Sequence, residues 1–375
     1  MKFKEIQAKS ILRKHKKIDS WFVSRYGMNL YRGCQHNCAY CDGRAEGYYV
    51  EGNFGEEVEI KINAPEILDH ELNPAKKRKP LKKGFFIIGG GVCDSYQPIE
   101  AKVKITRNVL EIIKKYNYPI HILTKSTLVK RDIDIINSIN QQSKAIVSFS
   151  FSSTNDKISN IFEPHASIPS SKLKAISYFK KYNIACGMYL LPVIPYITDN
   201  EKYIEKSIKD AKNAGVDFVI FGGMTLKQGR QWNYYMDILN KEYPKLSKSY
   251  NNIYYNNKWG SPKAEYYKKI TDIFLKISSI YKIPKRIPSW IFKDQVDLTD
   301  LVIVILEQMD NILKMKGEKS FYGLAANSII KTGKNIEELK TNLKSLSGIG
   351  PVTEKLINEV IEKGTLKHYE NLLVD

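Results

Sequence analysis

The sequence predicts an α/β fold, a partial (βα)6 barrel followed by a small all-α unit. Two observations carry this reading. Apolar, β-branched and aromatic runs recur near residues 26–31, 85–89, 119–124, 145–151, 184–191 and 217–222. They are short enough for strands and apolar enough to be covered on both faces. Between them stand the helical patterns VKITRNVLEIIKKY, RDIDIINSIN, SSKLKAISYFKKY and DNEKYIEKSIKDAKNAG, each with apolar residues three and four apart. Strand and helix alternating in this way imply parallel strands joined by right-handed crossovers, hence an open or partly closed barrel.

Ser170 and Asp199 are the expected caps of the last two helices. Beyond residue 229, GRQWNYYMDILNKEYPKL and KAEYYKKITDIFLKISSIYK read as amphipathic helices flanking the barrel, their tyrosines serving packing. Towards the C-terminus, LKSLSGIGPVTEKLINEVIEKG reads as a helix, a turn at Gly348, Ile349 and Gly350, and a second helix opened by Pro351. The expected division is 1–225 for the barrel, 226–300 for a helical extension and 301–375 for the small helical unit.

A chain of 375 residues with 43% apolar content can bury a full core. No apolar run approaches the roughly 18 residues a membrane span needs. The N-terminal MKFKEIQAKSILRKHKK lacks the apolar centre of a secretory signal. A cytoplasmic protein without membrane contact is expected, and five cysteines in such a length form no disulfide framework.

The net charge of +19 favours polyanionic partners. Residues 301–375 hold 10 Lys, no Arg and 10 Asp plus Glu, so the whole excess lies in residues 1–300. The cluster Arg13, Lys14, Lys16 and Lys17 reads equally as a nucleic-acid patch or a solvated surface. The run Lys76, Lys77, Arg78, Lys79, Lys82 and Lys83 precedes the second strand. Barrel strands begin on the face opposite the reactive one, so a solvated connection is expected there.

The chemistry concentrates in YRGCQHNCAYC, where Cys34, Cys38 and Cys41 share one short loop after the first strand. Three thiolates this close can hold three irons of a cubane and leave the fourth iron open to a reactant. A zinc site completed by His36 is the alternative, although structural zinc usually draws on two separated knuckles. The loop lies at the carboxyl end of its strand, where parallel α/β folds gather their reactive groups. The triplet Gly89, Gly90 and Gly91 ends the second strand on the same face and lets a ligand approach the backbone.

The CxxxCxxC loop, with Tyr40 just before its last cysteine, resembles that of the radical S-adenosylmethionine superfamily. The segments CDSYQPIE, ILTKSTLVKRDIDII, VSFSFSSTND and FEPHASIPSSKLKAI narrow the resemblance to the spore photoproduct lyase-like branch, from about Tyr26 to about Asn200. The resemblance implies a [4Fe-4S] cluster on Cys34, Cys38 and Cys41 and S-adenosyl-L-methionine as cofactor. It implies that the glycine triplet receives the cofactor's ammonium, Lys125 and Ser150 its carboxylate, and Tyr40 its adenine. A cation and a hydroxyl donor near that carboxylate make physical sense.

Cys93 is the candidate hydrogen donor to a substrate radical. In the lyases that cysteine stands a few residues earlier, where Gly91 lies here. Cys186, within the fifth strand, reads as a buried small hydrophobe. Glu163 and His165 are polar groups of the reactive face with no assigned role. The turn at Gly348, Ile349 and Gly350 resembles the helix-hairpin-helix motif of DNA-repair proteins, whose amides receive a phosphate without reading sequence. The expected activity is generation of a 5′-deoxyadenosyl radical that acts on nucleic acid, DNA first, with one electron from a low-potential donor such as flavodoxin or ferredoxin. The alternatives are a radical enzyme modifying RNA or protein and a non-catalytic iron-sulfur nucleic-acid-binding protein.

Overall fold

A computed structural model describes residues 1–47, 54–76, 81–254 and 259–375. Its strands are β1 (Lys2–Ile6), β2 (Arg13–Asp19), β3 (Ser24–Met28), β4 (Tyr31–Arg32), β5 (Glu57–Lys61), β6 (Phe85–Ile88), β7 (Ile120–Thr124), β8 (Ala145–Phe151), β9 (Ala185–Val193) and β10 (Phe218–Gly223). The six expected strands are β3, β6, β7, β8, β9 and β10. They lie side by side in chain order, every pair parallel. An order that never reverses winds the sheet one way, so the crossover helices fall on a single face.

Alternation along each strand separates two cores. Phe86, Ile88, Val147, Phe149, Met188, Val219 and Phe221 face the crossover helices, packing on Val109, Leu110, Ile176, Phe179 and Ile208. Cys186 belongs to this layer, as expected of a packing residue. The opposite residues Phe85, Ile146, Ala185, Tyr189, Phe218 and Ile220 pack against helices between residues 298 and 374. The C-terminal helices therefore seal the inner face of the sheet and share its core. The boundary expected at residue 300 falls inside the helix Leu298–Met315, which is anchored to β3 by a buried Arg25–Asp300 ion pair.

Sequence reading missed two features. β2 pairs antiparallel with β3 and forms the sheet edge, and β1, β5 and β4 make a separate small sheet. β2 reads RKHKKID, and such charge density hides a strand while suiting an edge, where lysine deters strand addition. Two cap assignments also shift. Asn200, not Asp199, caps Glu201–Ala214 by accepting from the Tyr203 N–H at 3.2 Å, while Asp199 accepts from the Tyr266 hydroxyl. Ser170 lies inside Pro169–Lys180, its hydroxyl donating to Asp156.

The segment before Gly348 is not one helix. It holds the short helical turns Ile336–Leu339 and Leu343–Ser345, and the helix Pro351–Lys363 then begins as expected. Of the basic run before β6, residues 77–79 lie outside the described residues. Lys82 pairs with Asp297, and Lys83 donates to the Asp294 carbonyl. Among the described residues, no helix is long and apolar enough to cross a membrane.

Candidate active site

The loops after β3, β6 and β7 and the end of β8 enclose a cavity of about 120 Å³ lined by Cys34, Cys38, Cys41, Gly89, Gly91, Cys93, Lys125 and Ser150. Several contacts fix the cysteine loop. Gly33 is left-handed at φ 78° and lies so close to the Glu57 carbonyl that a β-carbon would stand 2.3 Å from it. Buried Arg44 donates to the carbonyls of Cys38, Phe54 and Asn37 and stacks on the Tyr234 ring at 3.4 Å. Gln97 accepts from the Gln35 N–H at 2.8 Å, and Gln231 donates to the Tyr40 carbonyl at 2.8 Å. The tyrosine-rich helix Arg230–Glu242 thus packs directly behind the loop, with Tyr235 and Leu239 in one cluster with Cys38 and Ala39.

The donor set decides between cluster and single ion. Among the described residues, no three of His, Cys, Asp and Glu converge tightly enough to hold one metal ion. His36 is engaged elsewhere, with Nδ1 3.0 Å from the His165 carbonyl and Nε2 3.1 Å from Asp94. A mononuclear zinc site with His36 is therefore not built here. A cubane presents separate irons to separate thiolates, and three cysteines around one cavity fit that requirement. Burial pushes the Cys34 and Cys41 thiols up, and Cys38 up to about 12.

Lys125 sits at the floor of this cavity. Its Nζ donates to the Ser150 hydroxyl at 2.9 Å and the Tyr40 hydroxyl at 3.0 Å, and lies 3.3 Å from Glu163. Glu163 is buried between Lys125 and Lys172, the latter 3.4 Å away. Burial pushes the Glu163 carboxyl up, but Lys125 and Lys172 outweigh it and hold the group well below the usual carboxylate range. Burial brings Lys172 down to about 8 against the opposing pull of Glu163. Two ammonium groups around one carboxylate leave an uncompensated positive charge beside the cavity, the complement of a bound carboxylate.

Two expected residues, Tyr40 and Gly90, are placed differently from the expectation. The Tyr40 ring is buried with Ile158 and Phe162 and is not part of the cavity wall, while its hydroxyl donates to Glu163. Gly89 and Gly91 line the cavity, whereas Gly90 faces a neighbouring cleft. Gly89 most needs its lack of a side chain, since at φ 86° a β-carbon would stand 2.2 Å from the Leu123 carbonyl, while at Gly90 one would stand 2.7 Å from Ile87 Cγ1.

Cys93 does line the cavity, and burial, with Asp94 beside it, pushes its thiol up to about 12. Asp94 fastens the site together, accepting from Thr124 Oγ1 at 2.8 Å and from the Lys125 N–H at 2.7 Å. The roles of Gln97 and Gln231 had no local sequence signal, because they act through contacts 62 and 191 residues away along the chain. Arg44 and Lys172 reach carbonyls or a carboxylate within ten residues, but by folded geometry that no motif marks.

The family model described as Radical SAM superfamily matches residues 28–207. The chain belongs to the radical SAM superfamily. An uncharacterized protein of Methanocaldococcus jannaschii is 30% identical over 215 residues, covering 57% of this chain and 76% of the relative. An uncharacterized protein of Mycobacterium tuberculosis is 28% identical over 256 residues, 67% of this chain and 73% of the relative. Among solved structures, spore photoproduct lyase complexed with dinucleoside spore photoproduct superposes with a TM-score of 0.55 at 16% identity, covering 74% of this chain and 79% of that one. A mutant of that lyase with bound AdoMet gives 0.52 at 17%, covering 72% and 78%. At these identities the likeness is one of fold. The radical SAM core here is the parallel sheet that carries the cysteine loop at its carboxyl end.

Proposed function

We propose that this chain is a radical SAM enzyme that acts on nucleic acid, with a damaged or modified DNA base as the first candidate substrate. The observation that carries the reading is the single cavity joining Cys34, Cys38 and Cys41 to Gly89, Lys125, Ser150 and Cys93. The cysteines would hold a [4Fe-4S] cluster, and Lys125 and Ser150 the carboxylate of S-adenosyl-L-methionine. When bound, the cluster and S-adenosyl-L-methionine would supply one-electron radical chemistry at this site. The chain's own residues bind, orient and exclude water. The Lys125–Glu163–Lys172 triad fixes the carboxylate end, and the buried loops keep solvent from the reacting atoms.

Cys93 keeps its proton at neutral pH, as a hydrogen donor must. The turn at Gly348, Ile349 and Gly350 would add a phosphate contact of secondary weight. Gly350 is open, with nothing within 4 Å of the point where a β-carbon would stand, while Gly348 packs on the Ala325 backbone and Ile349 is buried.

Anaerobic incubation with S-adenosyl-L-methionine, a low-potential reductant and oligonucleotide pools tests the whole reading. Methionine, 5′-deoxyadenosine and an altered base are expected. Cofactor cleavage with no oligonucleotide change would favour a protein substrate, and no cleavage at all a non-catalytic iron-sulfur protein.

Two variants probe the individual roles. Lys125→Met should weaken S-adenosyl-L-methionine binding about 10- to 100-fold, the weight of a charge-assisted hydrogen bond. The iron content should stay at the wild-type level, and unchanged affinity would move the carboxylate-binding role elsewhere. Cys93→Ala should still yield 5′-deoxyadenosine while diverting the substrate to an abnormal product. An identical product spectrum would return Cys93 to packing.

A further inference from the structure

A cleft of about 820 Å³ runs along β2 and meets the cavity at Gly91, which lines both. Its walls carry Arg13, Lys14, Lys16, Lys17 and Lys61 against only two carboxylates, Asp19 and Glu307. Lys17 is already paired with Glu307, and Asp19 accepts the N–H groups of Trp21 and Phe22 at 2.8 and 3.1 Å. Arg13, Lys14 and Lys16 are exposed and, among the described residues, have no carboxylate partner. β2 is the edge of the sheet. Lysines there also deter strand addition, but that alone explains neither the cleft nor what lies beside it.

Beside the cations is a fixed aromatic platform. Phe22 is half-buried and stacked on Tyr189 at 5.7 Å and 22°. Its carbonyl, 2.9 Å from His121 Nδ1, can only accept, so that nitrogen carries the proton and Nε2 accepts from the Ser148 hydroxyl at 2.8 Å. Trp21 is held edge-on to Tyr189, with the Arg286 guanidinium 5.0 Å from its ring. Asn29 is exposed beside Gly91, where its amide can meet a base edge.

We propose that this cleft seats a single-stranded or locally unpaired stretch of nucleic acid, with phosphates on Arg13, Lys14 and Lys16 and a base against Phe22. The target nucleotide would pass Gly91 into the cavity. The proposal rests on the nucleic-acid reading above and deepens it. Cations beside an aromatic surface are how single strands are held without sequence preference. Enzymes that work on a base must first take it out of the duplex. One end of the cleft, at Arg13, Asn29 and Gly91, lies at the carboxyl end of β3, unlike Lys82 and Lys83, which are tied to the loop around Asp294 and Asp297.

The test uses the full-length reconstituted protein and fluorescence anisotropy with labelled mixed-sequence DNA and RNA single strands of about 12 nucleotides, and the matching DNA duplex. The triple variant Arg13→Glu, Lys14→Glu, Lys16→Glu should bind single strands at least about tenfold more weakly, and its log–log salt slope should fall by about two. Lys174→Glu, Lys181→Glu, Lys212→Glu makes the same charge change on the outer helices and should cost less than about threefold, since only screened long-range attraction is altered. Iron content and circular dichroism report folding of both variants. The DNA and RNA arms identify which strand is preferred. Equal losses in the two variants, tighter binding of duplex than of single strands, or binding of an acidic peptide but no oligonucleotide would each overturn the proposal. Cofactor cleavage by the wild type without oligonucleotide is measured separately, so failure of the radical reading shows itself independently of the cleft.

Discussion

Cys34→Ala, Cys38→Ala and Cys41→Ala are each expected to bring reductant-driven S-adenosyl-L-methionine cleavage down to background. The wild type, reconstituted without oxygen, should hold about four irons and four sulfides per chain. The loss should be complete because each thiolate would hold its own iron in the proposed cluster and the loop offers no spare ligand. His36 is committed to Asp94 and the His165 carbonyl. Overall folding should survive, since the loop is held by Gly33, Arg44, Gln97 and Gln231 rather than by the thiols themselves. Iron analysis and the visible chromophore check the first part, and quantified methionine and 5′-deoxyadenosine the second. Tight zinc binding without an iron chromophore would sink the assignment.

The parts of this molecule legible in the sequence are those encoded locally. Parallel strands such as FFII in β6 are covered on both faces and show as unbroken apolar runs. The cysteine loop is legible because its three thiols fall within eight residues of chain, Cys34 to Cys41. β2 was not legible because its apolar contribution is little more than Ile18, and its remaining residues are charged or exposed. The C-terminal helices read as a separate unit because nothing local says that Val302, Ile305 and Met309 pack on Phe85 and Tyr189. Tyr40 shows the limit of position alone. Its place in the motif suggested a ring facing a ligand, but the ring is packed inward and only the hydroxyl reaches the site, through Lys125 and Glu163. Glu163 itself was visible as a polar residue on the reactive face, whereas its function depends on two lysines, one of them only nine residues away but on another element.

Those lysines make Glu163→Gln the substitution with the largest expected effect on stability. The glutamine fills the same space but leaves Lys125 and Lys172 without their anion in a largely buried site, a loss of about 3–5 kcal/mol. The pH dependence gives the sign of the mechanism. In the wild type, Lys172 titrates near 8 in the folded chain against an ordinary 10.5, so the unfolded chain binds more protons between these values and stability rises with pH through that window. Removing Glu163 takes away the opposing pull and lowers Lys172 further. The window then extends towards neutral pH, and the deficit of the variant should be greatest below neutrality and shrink as the solution becomes alkaline.

At the acid end the order is reversed. The depressed carboxyl of Glu163 gives the wild type stability that is present above about 4.5 and is lost as pH falls, and the variant should lack that limb. Urea unfolding at neutral pH and about pH 9 measures the first effect, and acid titration the second. A second substitution, Lys172→Met on the Glu163→Gln background, should recover much of the loss by removing the unpaired charge. If Glu163→Gln unfolds like the wild type at every pH, the triad is solvated in solution, and the uncompensated charge that would draw a carboxylate to Lys125 is not there.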